Sequence, residues 1–84
     1  MDVSVKISLY PLNRDYIPPI QDFIDRVNQA EGLTVKTNVM STQVFGKYEK
    51  VMLFITAQMK EIFEKHGKNV FVMKILPGDL DQDH

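Results

Sequence analysis

The chain has 84 residues, no cysteine, and a formal net charge of −1 from 10 basic and 11 acidic side chains. A chain this long is expected to form one domain, over residues 1–84, that buries only about 60% of the surface its unfolded form exposes. Disulfides, thiolate metal centres and cysteine nucleophiles are excluded, and the interspersed charges argue against a nucleic-acid partner, which normally needs a basic patch.

Residues 3–10 read VSVKISLY. Val3, Val5, Ile7 and Leu9 alternate with Ser4, Lys6, Ser8 and Tyr10, which is the period of a half-buried strand. Pro11 ends it, and Asn13, Arg14 and Asp15 form a polar loop. Pro18 and Pro19 suit the first turn of a helix, where a missing N–H costs nothing. Ile17, Ile20, Phe23, Ile24, Val27 and Ala30 then fall on one helical stripe. Asp22 and Arg26 are placed to pair at i, i+4 on the wet side, and Gly32 is the expected stop.

Residues 33–40 alternate again, and a short third strand is expected near residues 42–46. Met40, Ser41 and Thr42 fall at the tight connection of an antiparallel hairpin. Residues 48–66 read as a helix. Val51, Ile55, Met59, Ile62 and Phe63 face inward, and Met52, Leu53 and Phe54 widen the apolar surface. Lys60, Glu61, Glu64 and Lys65 fill the solvated face. Gly67 is the stop, residues 68–76 form the last strand, and Pro77-Gly78 ends it. The tail DLDQDH reads as frayed.

The order β-α-β-β-α-β, with right-handed crossovers, gives the α+β ferredoxin-like fold: a four-stranded antiparallel sheet with both helices on one face. The last strand is apolar on both sides. Val70, Val72 and Leu76 point one way and Phe71, Met73 and Ile75 the other, interrupted by Lys74 alone. A sheet with one wet face alternates apolar and polar residues. A second copy of the chain is therefore expected to cover the sheet, with Phe71, Met73 and Ile75 on the covered side.

The run TNVMSTQVFG, residues 37–46, carries no charge although Lys36 and Lys47 bracket it. Its polar side chains, Thr37, Asn38, Ser41, Thr42 and Gln43, hydrogen-bond without charge. This block, with ISLYPL at residues 7–12, Tyr16, Pro18, and FVMK-x-x-x-GDL at residues 71–80, resembles the YkoF-like family that binds thiamine and hydroxymethylpyrimidine. The resemblance covers nearly the whole chain in order. It implies a ferredoxin-like unit used in one or two copies; this chain would be a single-repeat member. It further implies self-association through the open sheet face into dimers or tetramers, and a role in binding the vitamin or its precursor rather than converting it.

A site for the flat, uncharged aminopyrimidine ring needs neutral donors and acceptors between apolar walls. The candidate ligand-binding residues are Ser8, Tyr10, Thr37, Asn38, Met40, Ser41, Thr42 and Phe45, with Asn38 pairing with the ring and Phe45 stacking on it. Asn38, Ser41 and Thr42 equally suit a plain turn, and Tyr10 equally suits a subunit interface. Glu49 and Asp79 are the nearest carboxylates for a thiazolium, and each also reads as a surface acid.

No metal or cofactor is expected. His66 and His84 are far apart, and Asp79-x-Asp81-x-Asp83 lacks the glycine and distal glutamate of a calcium loop. An acylphosphatase-like hydrolase would use Arg14 and Asn38, but the loop before Arg14 lacks a glycine-rich phosphate cradle. The other rival is a structural or regulatory oligomer without a ligand site. With no signal peptide or membrane-length apolar run, a soluble cytoplasmic protein without a membrane partner is expected.

Overall fold

The computed structural model describes residues 1–38 and 41–81. Six elements follow one another: β1 (Asp2–Pro11), α1 (Ile17–Val27), β2 (Thr34–Thr37), β3 (Thr42–Lys47), α2 (Tyr48–His66) and β4 (Asn69–Pro77). The strands form one sheet in the order β2-β3-β1-β4, and every neighbouring pair is antiparallel. This is the expected ferredoxin-like arrangement.

The core lies between the sheet and the helices. Val3, Val5 and Ile7 of β1 and Val44 of β3 pack with Phe23 and Val27 of α1 and with Val51, Ile55 and Ile62 of α2. Alternation along β1 therefore works as the sequence indicates: odd residues go to the core and even residues to the open face.

The first helix starts at its prolines but buries a narrower stripe than expected. Pro19, Phe23 and Val27 are buried, one row at i, i+4 spacing. Ile17 is exposed, because two residues from Pro19 is about 200° of helix rotation. The helix also ends early. The Asn28 amide bonds to the Ile24 carbonyl, and the Gln29 and Ala30 amides reach back only three residues, to Arg26 and Val27. That tightened turn terminates α1, so Gly32 leads into β2 instead of closing the helix.

The second strand is shorter than residues 33–40, pairing from Thr34 to Thr37. Val39 and Met40 lie outside the described residues. Thr42 is not part of the connection; it begins β3 opposite Thr37.

The second helix has the expected limits. It closes at Gly67, whose φ of 73° and ψ of −131° suit a residue without a Cβ. Leu53 points outward, 75% exposed. Phe63 is partly exposed too, but its ring meets Phe71 edge-on at 5.4 Å, and Phe71 also packs on Phe23 at 5.1 Å.

These ring contacts reverse the expectation for β4. Cross-strand partners share a face of the sheet. Ile7 pairs with Met73 and Leu9 with Phe71, which places Phe71 and Met73 on the core. Ile75, opposite Val5, points the same way, though it is more exposed at the strand end. The open face instead carries Val70, Val72, Lys74 and Leu76, opposite Tyr10, Ser8, Lys6 and Ser4. The two faces of an apolar strand cannot be told apart by period alone; its register with β1 decides.

The chain after β4 is not frayed where it is described. The Gly78 amide donates to the Asp2 carbonyl at 2.8 Å. The Ser4 hydroxyl donates to the Gly78 carbonyl at 2.7 Å and accepts the Leu80 amide at 2.9 Å. The Asp81 amide bonds to the Asp79 carboxylate, and Asp81 pairs with Lys36 of β2. Residues 78–81 thus fold back over the open face. Among the described residues, no helix is long and apolar enough to cross a membrane.

Candidate functional site

The helices cover one side of the sheet, so chemistry on the other side depends on the alternate residues of each strand. In one cross-sheet row, Ser4 stands between Phe45 of β3 and Leu76 of β4. In the next row, Lys6 stands between Gln43 and Lys74. Lys36 of β2 lies opposite Gln43, extending that row to the sheet edge. The turn at residues 78–81 crosses the first row and adds Leu80 and Asp81 as a rim. Together these side chains enclose a cleft of about 360 Å³. That lies within the range of roughly 300–1,000 Å³ usual for small-molecule sites.

The floor of the cleft is apolar. Phe45 is only 6% exposed, held beneath the rim, with Leu76 and Leu80 beside it. The polar groups are of two kinds. Gln43 supplies a neutral amide that both donates and accepts. The lysines supply charge: Lys36 is paired with Asp81, whereas Lys6 and Lys74 have no ion-pair partner among the described residues.

The residues expected from the sequence do not all meet here. Phe45 lines the cleft. Ser8 and Tyr10 lie further along the same face, opposite Val72 and Val70. Thr37 and Thr42 pair with each other in the row of Ile7, on the helix side of the sheet. Asn38 closes the turn: its side-chain carbonyl accepts the Ser41 backbone amide at 2.9 Å, and its backbone amide donates to the Ser41 carbonyl at 3.0 Å. Asn38, Ser41 and Thr42 border a crevice of about 50 Å³ with Ile7, Leu9, Ile20, Phe23 and Ile24. Such a space suits a few water molecules. Met40 lies outside the described residues. Arg14 is exposed in the loop between β1 and α1, and Glu49 is exposed in the first turn of α2.

The cleft also gathers Ser4, Lys6, Lys36, Gln43, Lys74, Leu76, Leu80 and Asp81, which are not among the candidates drawn from the sequence. A signal existed for three of them. Gln43 shares the period-2 face of Phe45, and Lys6 and Lys74 are the charges that interrupt otherwise apolar or small strand residues.

A second polar cluster lies on the helical side. His66 Nε2 is 2.9 Å from one Asp22 oxygen, and Arg26 Nε donates to the other at 2.9 Å. Glu61 lies 3.8 Å from Arg26. Burial works to raise the Asp22 pKa, but the hydrogen bonds from His66 and Arg26 and the charges of Arg26 and Lys65 outweigh it. The carboxyl is held below its ordinary value. This cluster ties α1 to the end of α2 and lies across the sheet from the cleft. Among the described residues, no group of three or more His, Cys, Asp or Glu side chains is placed to hold a metal ion.

Solved structures share this fold at low sequence identity. A Streptococcus pneumoniae protein superimposes with a TM-score of 0.86 at 18% identity, covering 98% of this chain and 92% of that one. A candidate thiamine biosynthesis/salvage protein from Thermotoga maritima gives 0.79 at 19% identity, covering 89% of this chain and 82% of that one. A hypothetical protein from Methanocaldococcus jannascii gives 0.78 at 18% identity, over 99% and 87% of the two chains. No curated protein matches the chain. The model of the YkoF-related family matches residues 2–75, and the chain belongs to that family.

Proposed function

We propose that this protein binds thiamine or its hydroxymethylpyrimidine part without converting it, in the cleft on the open face of the sheet. The carrying observation is the cleft itself: about 360 Å³, an apolar floor at Phe45, and the Gln43 amide beside it. An aminopyrimidine needs a flat apolar surface and neutral partners for its ring nitrogens and amino group. Family membership, and the description of the Thermotoga protein, support the choice of ring. The strands of the hairpin would supply the contacts through Gln43, Phe45 and Lys36, while the turn at Asn38 and Ser41 shapes the hairpin.

Self-association through the open face belongs to the same reading. Tyr10, Val70, Val72 and Leu76 expose apolar side chains there, Val72 by 48%. A second copy laid on this face would bury them and put the cleft at or near the subunit boundary. Residues 1–84 would act as one domain, in the cytoplasm, where a chain without cysteine loses nothing.

Calorimetric titration with hydroxymethylpyrimidine and with thiamine tests the binding claim. Saturable heat with either is expected, and Gln43→Ala should weaken it by about 1–3 kcal/mol through the lost amide. Absence of heat up to millimolar ligand would sink the claim and leave a structural or regulatory oligomer as the better reading.

A further inference from the structure

Lys6 and Lys74 are direct cross-strand partners on the open face. Residues so placed have Cβ atoms about 4.5–5.5 Å apart, and like charges there repel. The usual remedy is an acid within reach; among the described residues neither lysine has an ion-pair partner, and Asp81, the acid on the rim, pairs with Lys36. The neighbours of the pair in register are Ser4, Gln43, Ser8, Val72 and Leu76. Lys36, the third lysine of the cleft, is already neutralised by Asp81. Among the described residues, the cleft therefore holds two adjacent ammonium groups without an ion-pair partner, beside an apolar floor.

We infer that the cleft takes its ring as a phosphate ester, with the phosphate held between Lys6 and Lys74. This rests on the reading of the cleft as a ring-binding site and names the form of the ligand. A phosphate monoester carries a charge of about −1.5 to −2 at neutral pH and offers three acceptor oxygens, enough for both ammonium groups. Lysine serves phosphate as a point charge, without the fork geometry of arginine. The ring would lie toward Phe45, Leu76 and Leu80, one row away. The same two charges disfavour a cation, so thiamine with its free thiazolium is a poorer ligand than the neutral pyrimidine, and the pyrimidine poorer than its phosphate.

Calorimetry with four probes tests this: hydroxymethylpyrimidine, its monophosphate, thiamine and inorganic phosphate. The monophosphate should bind at least about tenfold more tightly than the free pyrimidine, a difference of one 1.4 kcal/mol step. That ratio should shrink in high salt and fall toward one in Lys6→Gln/Lys74→Gln, with each single variant losing part of it. Equal affinity for pyrimidine and monophosphate overturns the inference and leaves the ring-binding reading intact. Heat from none of the probes overturns both. A phosphate advantage that survives in the double variant overturns the assignment to these lysines. Inorganic phosphate that matches the monophosphate overturns the contribution of the ring.

Discussion

Leu80 donates its amide to the Ser4 hydroxyl at 2.9 Å, joining the last described turn of the chain to its first strand. The same hydroxyl donates to the Gly78 carbonyl, so one buried oxygen holds both ends of the rim above Phe45. Ser4→Ala should therefore lower stability by about 1–3 kcal/mol, because two part-buried hydrogen bonds, to the Gly78 carbonyl and from the Leu80 amide, are lost together. Denaturant unfolding reads the stability, and faster hydrogen exchange at the Leu80 amide reads the rim. A variant with unchanged exchange at Leu80 would show that the turn is held by other contacts.

The pH dependence follows from Asp22. Its folded pKa lies below its ordinary value, so its ionised form stabilises the fold above the unfolded pKa of about 3.9. That contribution is lost as pH falls through the folded value. Asp22→Asn removes the titration. Between about pH 5 and pH 2 the wild-type chain should lose more stability than the variant does. Parallel acid-unfolding curves would place the effect on other carboxylates.

Gly67→Ala isolates backbone strain. At φ 73° and ψ −131° the residue occupies a region that essentially only glycine adopts, yet an added methyl would touch nothing within 4 Å. A loss of about 1–3 kcal/mol is expected from conformation alone. A neutral result in thermal or denaturant unfolding would mean that the helix end relaxes to a different cap.

Two residues of α2 separate burial from composition. Ile55 is fully buried and Leu53 is 75% exposed. Ile55→Ala should cost about 2–5 kcal/mol, as large-to-small core changes do. Leu53→Ala should stay within about 0.5 kcal/mol. Comparable losses at both positions would point to an interface over the outer face of α2.

The fold was legible because its signals were periodic. Odd residues of β1 and the stripe of α2 at Val51, Ile55 and Ile62 repeat often enough to fix element type and inner face. Where a segment is apolar on all sides, the sequence loses its direction. Met52, Leu53 and Phe54 read alike, and the two faces of β4 read alike, until the pairing of Leu9 with Phe71 orients them. The cleft was less legible than the fold. A pocket on a sheet collects alternate residues of strands far apart in sequence, such as Ser4, Gln43 and Leu76. An uncharged block of adjacent residues pointed instead to the hairpin turn, where Asn38 serves Ser41.

Self-association has its own variant. Val72→Asp places a charge on the open apolar face without touching the core. Light scattering should give a multiple of the 9.7 kDa chain for the wild type and a lower mass for the variant. A wild-type mass equal to one chain would refute assembly through this face.

Amide chemical shifts report whether ligand lies in the cleft beneath the 78–81 turn. Hydroxymethylpyrimidine or its monophosphate would be titrated into the isotope-labelled protein. Saturable shifts centred on Gln43, Phe45, Leu80 and Asp81 are expected, extending to Lys6 and Lys74 with the phosphate. Shifts confined to residues 38–42, or none at all, would contradict binding in the cleft.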